Sequence, residues 1–309
     1  MASKLAFHQR HPLVSGFLIL GLMLIFFLGL SSLVLRSCTS SLSDKRSFIS
    51  DRKEVIGVIE VKGMITSPDD VLEDLATLGE NKHVKGIVVR IDSPGGAVGA
   101  SQEIFREIAY SSQKKPVVAS MGSVAASGGY YAALGAHKIV ASRGTLTGSL
   151  GVILKFPNLQ ELYKKIGYKS QIVKSGKLKD MGSTDRPLTA KERELLNNLL
   201  ANVHQQFIGD VARRRNIPLA EVEELADGRI FSGEQALEAK LIDKTGNFYD
   251  AVRLCAGMAA MEVELPELYY PGKKNIGLLK TLIRRNFDDV FGFLKKATPV
   301  LVSELTVGP

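Results

Sequence analysis

"PVVASMGSVAASGGYY" (residues 116–131) decides how this chain folds. It begins with a proline and a short apolar run, the pattern of a buried strand over 116–121. It then turns to alanine, serine and glycine before two tyrosines, and a helix is expected to start near Ser127. Strand, small-residue turn and helix therefore meet at one hydroxyl. The same order occurs one unit earlier in "KGIVVRIDSPGGAVGA" (85–100), where a strand over 85–92 runs into "DSPGG" and then into a helical pattern over 98–112.

Further out, "VIGVIEV" (55–61) reads as another buried strand, residues 69–80 as a helix, and "HKIVAS" (137–142) as a short strand. Strands separated by helices of about 10–15 residues imply right-handed crossovers and a mainly parallel sheet. Residues 188–215 form a long helical pattern, opened by "PLT" and closed by Arg213, Arg214 and Arg215, whose charge suits the C-terminal end of a helix dipole. Residues 233–257 complete the domain. There is no internal repeat.

The N-terminal part is of another kind. Residues 13–35 contain 23 positions without a charge. That length spans a hydrocarbon core of about 30 Å and exceeds the apolar core of about 7–15 residues in a cleaved signal peptide. A retained transmembrane anchor is expected there, after a short tail (1–12) and before a polar, Ser-rich linker (36–54). The folded domain is placed at 55–257. Lys4 and Arg10 favour a cytoplasmic N-terminus, but Arg36, Lys45 and Arg46 oppose it, so charge does not settle the orientation.

Several classes of function are disfavoured. The 309 residues carry a net charge of +8, but no basic motif interleaved with aromatics, so nucleic-acid binding is not expected. The two cysteines, Cys38 and Cys255, cannot build a zinc site alone, and no thiol lies between them to act as a nucleophile. None of the five histidines has metal-ligand spacing. Neither GxxxxGK[ST] nor GxGxxG occurs at the glycine turns, which argues against phosphate cradles.

The two turns fit acyl chemistry better. A helix start leaves amide N–H groups unpaired, and two such ends side by side can direct donors at one developing anion. A serine at this point also needs a base. His137, at a strand start, is one candidate. Lys174, Lys177 and Lys179 in "VKSGKLKDMGS" (173–183) are three more, and composition does not choose among them. A free lysine has a pKa of about 10.4, so a lysine base has to be desolvated.

At these residues the chain resembles the signal peptide peptidase A family, bacterial membrane-bound Ser/Lys proteases of the ClpP/crotonase-like superfamily. The resemblance runs from about residue 55 to 255 through "DSPGG", "MGSVAASGGYY", "TLTGSLGV", "SGKLKD", "DGRIFSG" and "LIDKTG". It implies an α/β ClpP/crotonase-like fold with repeated ββα units, preceded by one transmembrane helix. It also implies Ser127 as nucleophile, Lys179 as general base, Ser149 as the serine that orients the lysine, and the Gly96 amide as one oxyanion donor. The Gly128 amide, directly after the nucleophile, is the expected second donor on geometric grounds.

No metal, nucleotide or other cofactor is needed. The resemblance implies remnant signal peptides and other unfolded or membrane-released peptides as substrates. It implies a homo-oligomeric ring in which neighbouring subunits supply serine and lysine, and a bacterial inner-membrane location with the catalytic domain outside the cytoplasm.

A catalytically inactive membrane scaffold and a crotonase-like acyl-CoA enzyme are the other readings of this pattern. Retention of Ser127, Lys179 and Ser149 argues against the scaffold. Neither alternative needs an activated serine. The remaining residues, 258–309, read as a tail in which 275–297 form a basic amphipathic helix, suited to a neighbouring subunit or to a membrane surface.

Overall fold

The computed structural model describes residues 54–271. The expected anchor, its linker up to residue 53 and the amphipathic tail segment lie outside these residues. Among the described residues, no helix is long and apolar enough to cross a membrane.

The first half of the domain alternates strand and helix. These elements are β1 (Val55–Lys62), α1 (Asp69–Glu80), β2 (Val84–Ser93), α2 (Val98–Ser112), β3 (Val117–Ala126), α3 (Gly128–Ala133) and β4 (Lys138–Ala141). The second half holds β5 (Leu146–Gly148), α4 (Gln160–Lys165), α5 (Ala190–Arg215), α6 (Leu219–Leu225), β6 (Ile230–Ser232), α7 (Gly233–Glu238), β7 (Lys244–Thr245), α8 (Phe248–Met258) and β8 (Glu267–Tyr269). Among these elements β4 and β5 are the one pair of strands that follow each other directly. The repeated ββα unit is therefore not the rhythm of the element order.

The sheet runs β6-β5-β3-β2-β1-β8, with β4 also on β3 and β7 on β4. Its pairs are parallel except β5 with β6. β8 pairs with β1 from residues that the sequence pattern assigns to the tail, so the sheet extends past residue 257.

Strands β1, β2 and β3 carry apolar residues on both faces because both faces are covered. On one side Ile59, Ile87, Ile91, Ala119 and Met121 join the main core with Leu75, Leu78, Ile104 and Ile108 of α1 and α2. On the other, Ile56, Val88, Val118 and Val140 meet Ala251, Val252 and Cys255 of α8. That helix seats closely because Gly86 faces it. A Cβ at Gly86 would come within 2.6 Å of the Cys255 sulfur.

α5 starts with a capping box. The Thr189 hydroxyl accepts from the Glu192 amide (3.2 Å), and the Glu192 carboxylate accepts from the Thr189 amide (2.8 Å). The three arginines at its other end have specific partners. Arg213 pairs with Asp210, and Arg215 with Asp243 at 2.8 Å. Arg214 reaches back to α3: Nε donates to the Leu134 carbonyl (2.7 Å), and Nη2 to those of Gly135 (3.0 Å) and Ala136 (3.2 Å). It thus satisfies carbonyls that the end of a short helix leaves open.

Arg214→Ala is expected to cost about 2 kcal/mol, since charged donors to buried carbonyls are lost. The melting temperature should fall by about 4–8 °C. Thermal unfolding followed by circular dichroism checks this, and an unchanged midpoint would refute the capping role.

Candidate active site

β3 ends at Ala126, and the chain turns into α3 through Ser127, whose φ is 52° and ψ −120°. A non-glycine residue there is strained and persists only where its surroundings hold it. They do so on three sides. The Ser127 amide donates to the Gly148 carbonyl (2.8 Å), its carbonyl accepts from Tyr131 (2.9 Å), and Ala126 pairs with Gly148 in the sheet.

The neighbouring strand brings in the second glycine turn. Ser93 of β2 pairs with Ala125 of β3, so "SPGG" lies beside the serine turn. The approach is between backbones. A Cβ at Gly95 would come 2.6 Å from the Gly128 nitrogen and 3.0 Å from the Ser127 Cβ. At Gly128 it would lie 3.2 Å from the Gly96 nitrogen and collide with the Ser101 hydroxyl, and at Gly96 it would collide with the Ile65 backbone. The amides of Gly96 and Gly128 have no acceptor among the described residues. Two free donors therefore flank one serine hydroxyl.

Gly96, Ser127 and Gly128 share a cleft with Val98, Ser101, Tyr131, Gly151, Val152, Val203 and Phe207. Its wall is mostly apolar. The Tyr131 ring stacks against Phe105 (5.3 Å) and Phe207 (4.4 Å), and its hydroxyl hydrogen-bonds Asp210. Burial, and then the bond to Asp210, push the Tyr131 phenol up to about 12. It stays neutral and acts as wall and anchor.

A model of peptidase family S49 matches residues 109–262, and one described as Clp protease matches residues 44–146. The Synechocystis sp. protein slr0021, named as a protease, is 44% identical over 223 residues, covering 72% of this chain and 80% of its own length. The chain belongs to peptidase family S49.

It is accordingly a serine protease, with a ClpP-like mixed α/β fold. An Enterococcus faecium protein named as a signal peptide peptidase is 38% identical over 182 residues, covering 59% of this chain. This S49 chain spans 53% of that relative's length. Among solved structures, a serine-to-alanine mutant of the 1510-N membrane-bound stomatin-specific protease is 21% identical with a TM-score of 0.49, covering 72% of this chain and 100% of its own.

The structure brings together three of the five expected site residues, Ser127, Gly96 and Gly128. Ser149 follows Gly148, the residue paired with Ala126. It also has a positive φ, 51°, and its amide donates to the Arg229 carbonyl (2.8 Å). Lys179 is not in this cleft. Its side chain is exposed, and among the described residues no hydrogen bond joins it to Ser127.

The other candidate bases are placed differently. His137 Nδ1 accepts from the Val117 amide (3.1 Å), so its ring sits at the start of β3, while Ser127 follows its end. Lys174 is paired with Asp180 at 2.5 Å. Among the described residues, no group of three or more His, Cys, Asp or Glu could hold a metal ion.

Asp92 is a site-building residue that the pattern did not disclose. The β2–β3 register slips between Ile91 and Ser93, where Ile91 faces Met121 but Ser93 faces Ala125. The Asp92 carboxylate fills this bulge, accepting from the Val124 amide at 3.0 Å, and Gly122 leaves room for it.

Gly128→Ala should lower peptide hydrolysis by roughly 10²-fold or more, the scale for disturbing one oxyanion donor. The Cβ would press on Ser101 and the Gly96 amide. Adding Ser101→Ala removes the hydroxyl in its path, and kcat should recover in part. A Gly128→Ala enzyme with wild-type kcat would show that this approach does not matter.

Proposed function

We propose that this S49 protease is a membrane-anchored endopeptidase that cleaves remnant signal peptides and other unfolded or membrane-released peptides. Ser127 is its nucleophile and Lys179 of a neighbouring copy its general base. The observation that carries the reading is the pairing of a strained, accessible serine with two free amides at an apolar cleft, while the candidate lysine lies exposed elsewhere on the same chain.

In this mechanism neutral Lys179 takes the Ser127 proton as the hydroxyl attacks the peptide carbonyl. The Gly96 and Gly128 amides receive the oxyanion. Ser149, beside the turn, orients the lysine. The lysinium then gives its proton to the leaving amine, and water, activated by the same lysine, releases the acyl group from Ser127. The chain needs no cofactor for these steps.

A shared site accounts for the exposure of Lys179. A lysine base needs desolvation, and the exposed side chain would find it against a second copy. The segment carrying it also displays apolar residues: Ile153 is 73% exposed, Ile166 66% and Val173 100%. A homo-oligomeric ring would cover them.

The uncharged run 13–35 supports the membrane anchor. The resemblance supports a bacterial inner-membrane protein with a cytoplasmic N-terminus and an extracytoplasmic catalytic domain. The apolar wall of Val98, Val203 and Phe207 suits the aliphatic side chains of signal peptides.

Ser127→Ala and Lys179→Ala should each lose roughly 10³-fold or more of the hydrolysis of a fluorogenic signal peptide. Mixed in equal amounts with free subunit exchange, the two inactive chains should regain about a quarter of wild-type activity, because half of the sites draw an intact serine and half of those an intact lysine. Retained activity in either single variant would refute that residue's role. No recovery despite verified exchange would place both residues in one chain.

A further inference from the structure

Most of the segment from Lys155 to Lys179 is exposed. Its end is gripped by one arginine. Arg186 Nη1 and Nη2 donate to the Glu192 carboxylate at 2.8 and 2.6 Å, and Nε donates to Asp180 Oδ2 at 3.1 Å. The Asp180 and Pro187 carbonyls accept from the same guanidinium, at 3.3 and 3.1 Å. Lys174 takes the other Asp180 oxygen at 2.5 Å. The side chains of Glu192 and Asp180 are 2% and 10% exposed.

Glu192 already serves the capping box at the start of α5 through the Thr189 amide. Its Oε2 also accepts from Arg186 Nη1, and this bidentate bond carries the fixed position of the α5 start out to Asp180, the residue next to Lys179. Lys179 itself lies in consecutive tight turns, its amide donating to Gly176 (3.1 Å) and that of Met181 to Leu178 (3.1 Å). These local turns do not tie it to the body of the protein.

We infer that Arg186, bridging Glu192 and Asp180, is the positioning residue that sets where the chain presents Lys179. This rests on the reading of Lys179 as the base. α5 thereby serves both partners of the reaction. Val203 and Phe207 wall the cleft of Ser127 in their own chain, and Glu192 at the helix start holds the lysine offered to the next.

The bridge persists across the working pH range. Arg186, and then the Thr189 amide, hold the Glu192 carboxyl down to about 2. Arg186 and then Lys174 hold Asp180 below the usual carboxylate range. A loss of activity in mild acid therefore does not come from release of this bridge.

The test uses full-length protein in detergent with the fluorogenic signal peptide. Arg186→Gln, and independently Glu192→Gln, which retains an oxygen for the cap, should lower kcat tenfold or more with KM within twofold. Arg186→Lys should recover part of the loss, because lysine is a point donor and not a planar fork. Asn247→Ala removes the cap of α8, which takes no part in this bridge, and should lower the melting temperature while kcat stays at the wild-type value.

In mixtures, Arg186→Gln chains should regain activity with Ser127→Ala chains and gain none with Lys179→Ala chains. Wild-type kcat in both Arg186→Gln and Glu192→Gln would overturn the inference. So would recovery of Arg186→Gln by Lys179→Ala chains, which would put the damage on the serine side. An active Lys179→Ala enzyme would overturn the assignment of the base, and the positioning role with it.

Discussion

The slip in register between β2 and β3 is the constraint on which the site depends. Below it, Val118, Ala119 and Ser120 pair with β4; beyond it, Val124, Ala125 and Ala126 pair with β5. One strand thus leaves one neighbour for another within a few residues. A bulge makes such a change possible, but it leaves backbone groups unpaired. Here Asp92 accepts from the Val124 amide at 3.0 Å, and the Thr145 hydroxyl donates to the Gly122 carbonyl at 2.8 Å. The first residue of "DSPGG" therefore holds the geometry that its glycines use.

Everything at the serine follows from this shift. Because β3 reaches β5, the Ser127 amide finds the Gly148 carbonyl, and Ser149 stands next in line. Because β2 runs beside β3 past the bulge, the "SPGG" turn arrives where two backbones touch. The fit has no room for Cβ atoms at Gly95, Gly96 or Gly128. Catalytic geometry of this kind is a property of the main chain, held by packing on both sheet faces, and side chains tune it afterwards.

That division explains what could be read from the residues. The elements over 55–126 were legible because they are long runs bounded by turn residues. The strand–turn–helix pattern put Ser127 and Gly128 at one turn beside a second glycine turn, while the roles of Ser127 and Gly96 came from the family resemblance. The three-residue strands β5, β6 and β8 were not legible, because such short runs are defined by distant partners such as Phe231 for Thr147. The arginines at the end of α5 were read as dipole charges, whereas Arg214 and Arg215 serve α3 and the turn before β7. Non-local contacts leave no periodicity.

Lys179 falls between these cases. Its residue type and motif were readable, but its place relative to Ser127 was not, and the single chain leaves the two apart. Apolar side chains along the same segment, Leu154, Ile166, Ile172 and Val173 among them, are exposed. An extended exposed apolar surface of this sort marks a contact to be made. If the proposed ring covers it, association would bury the apolar residues and desolvate the lysine in the same step. The base would then become competent only where a substrate cleft from another copy is present to use it. In that proposed ring an isolated chain would hold a nucleophile without a base, and proteolysis would be coupled to assembly through the same hydrophobic effect that folds the core.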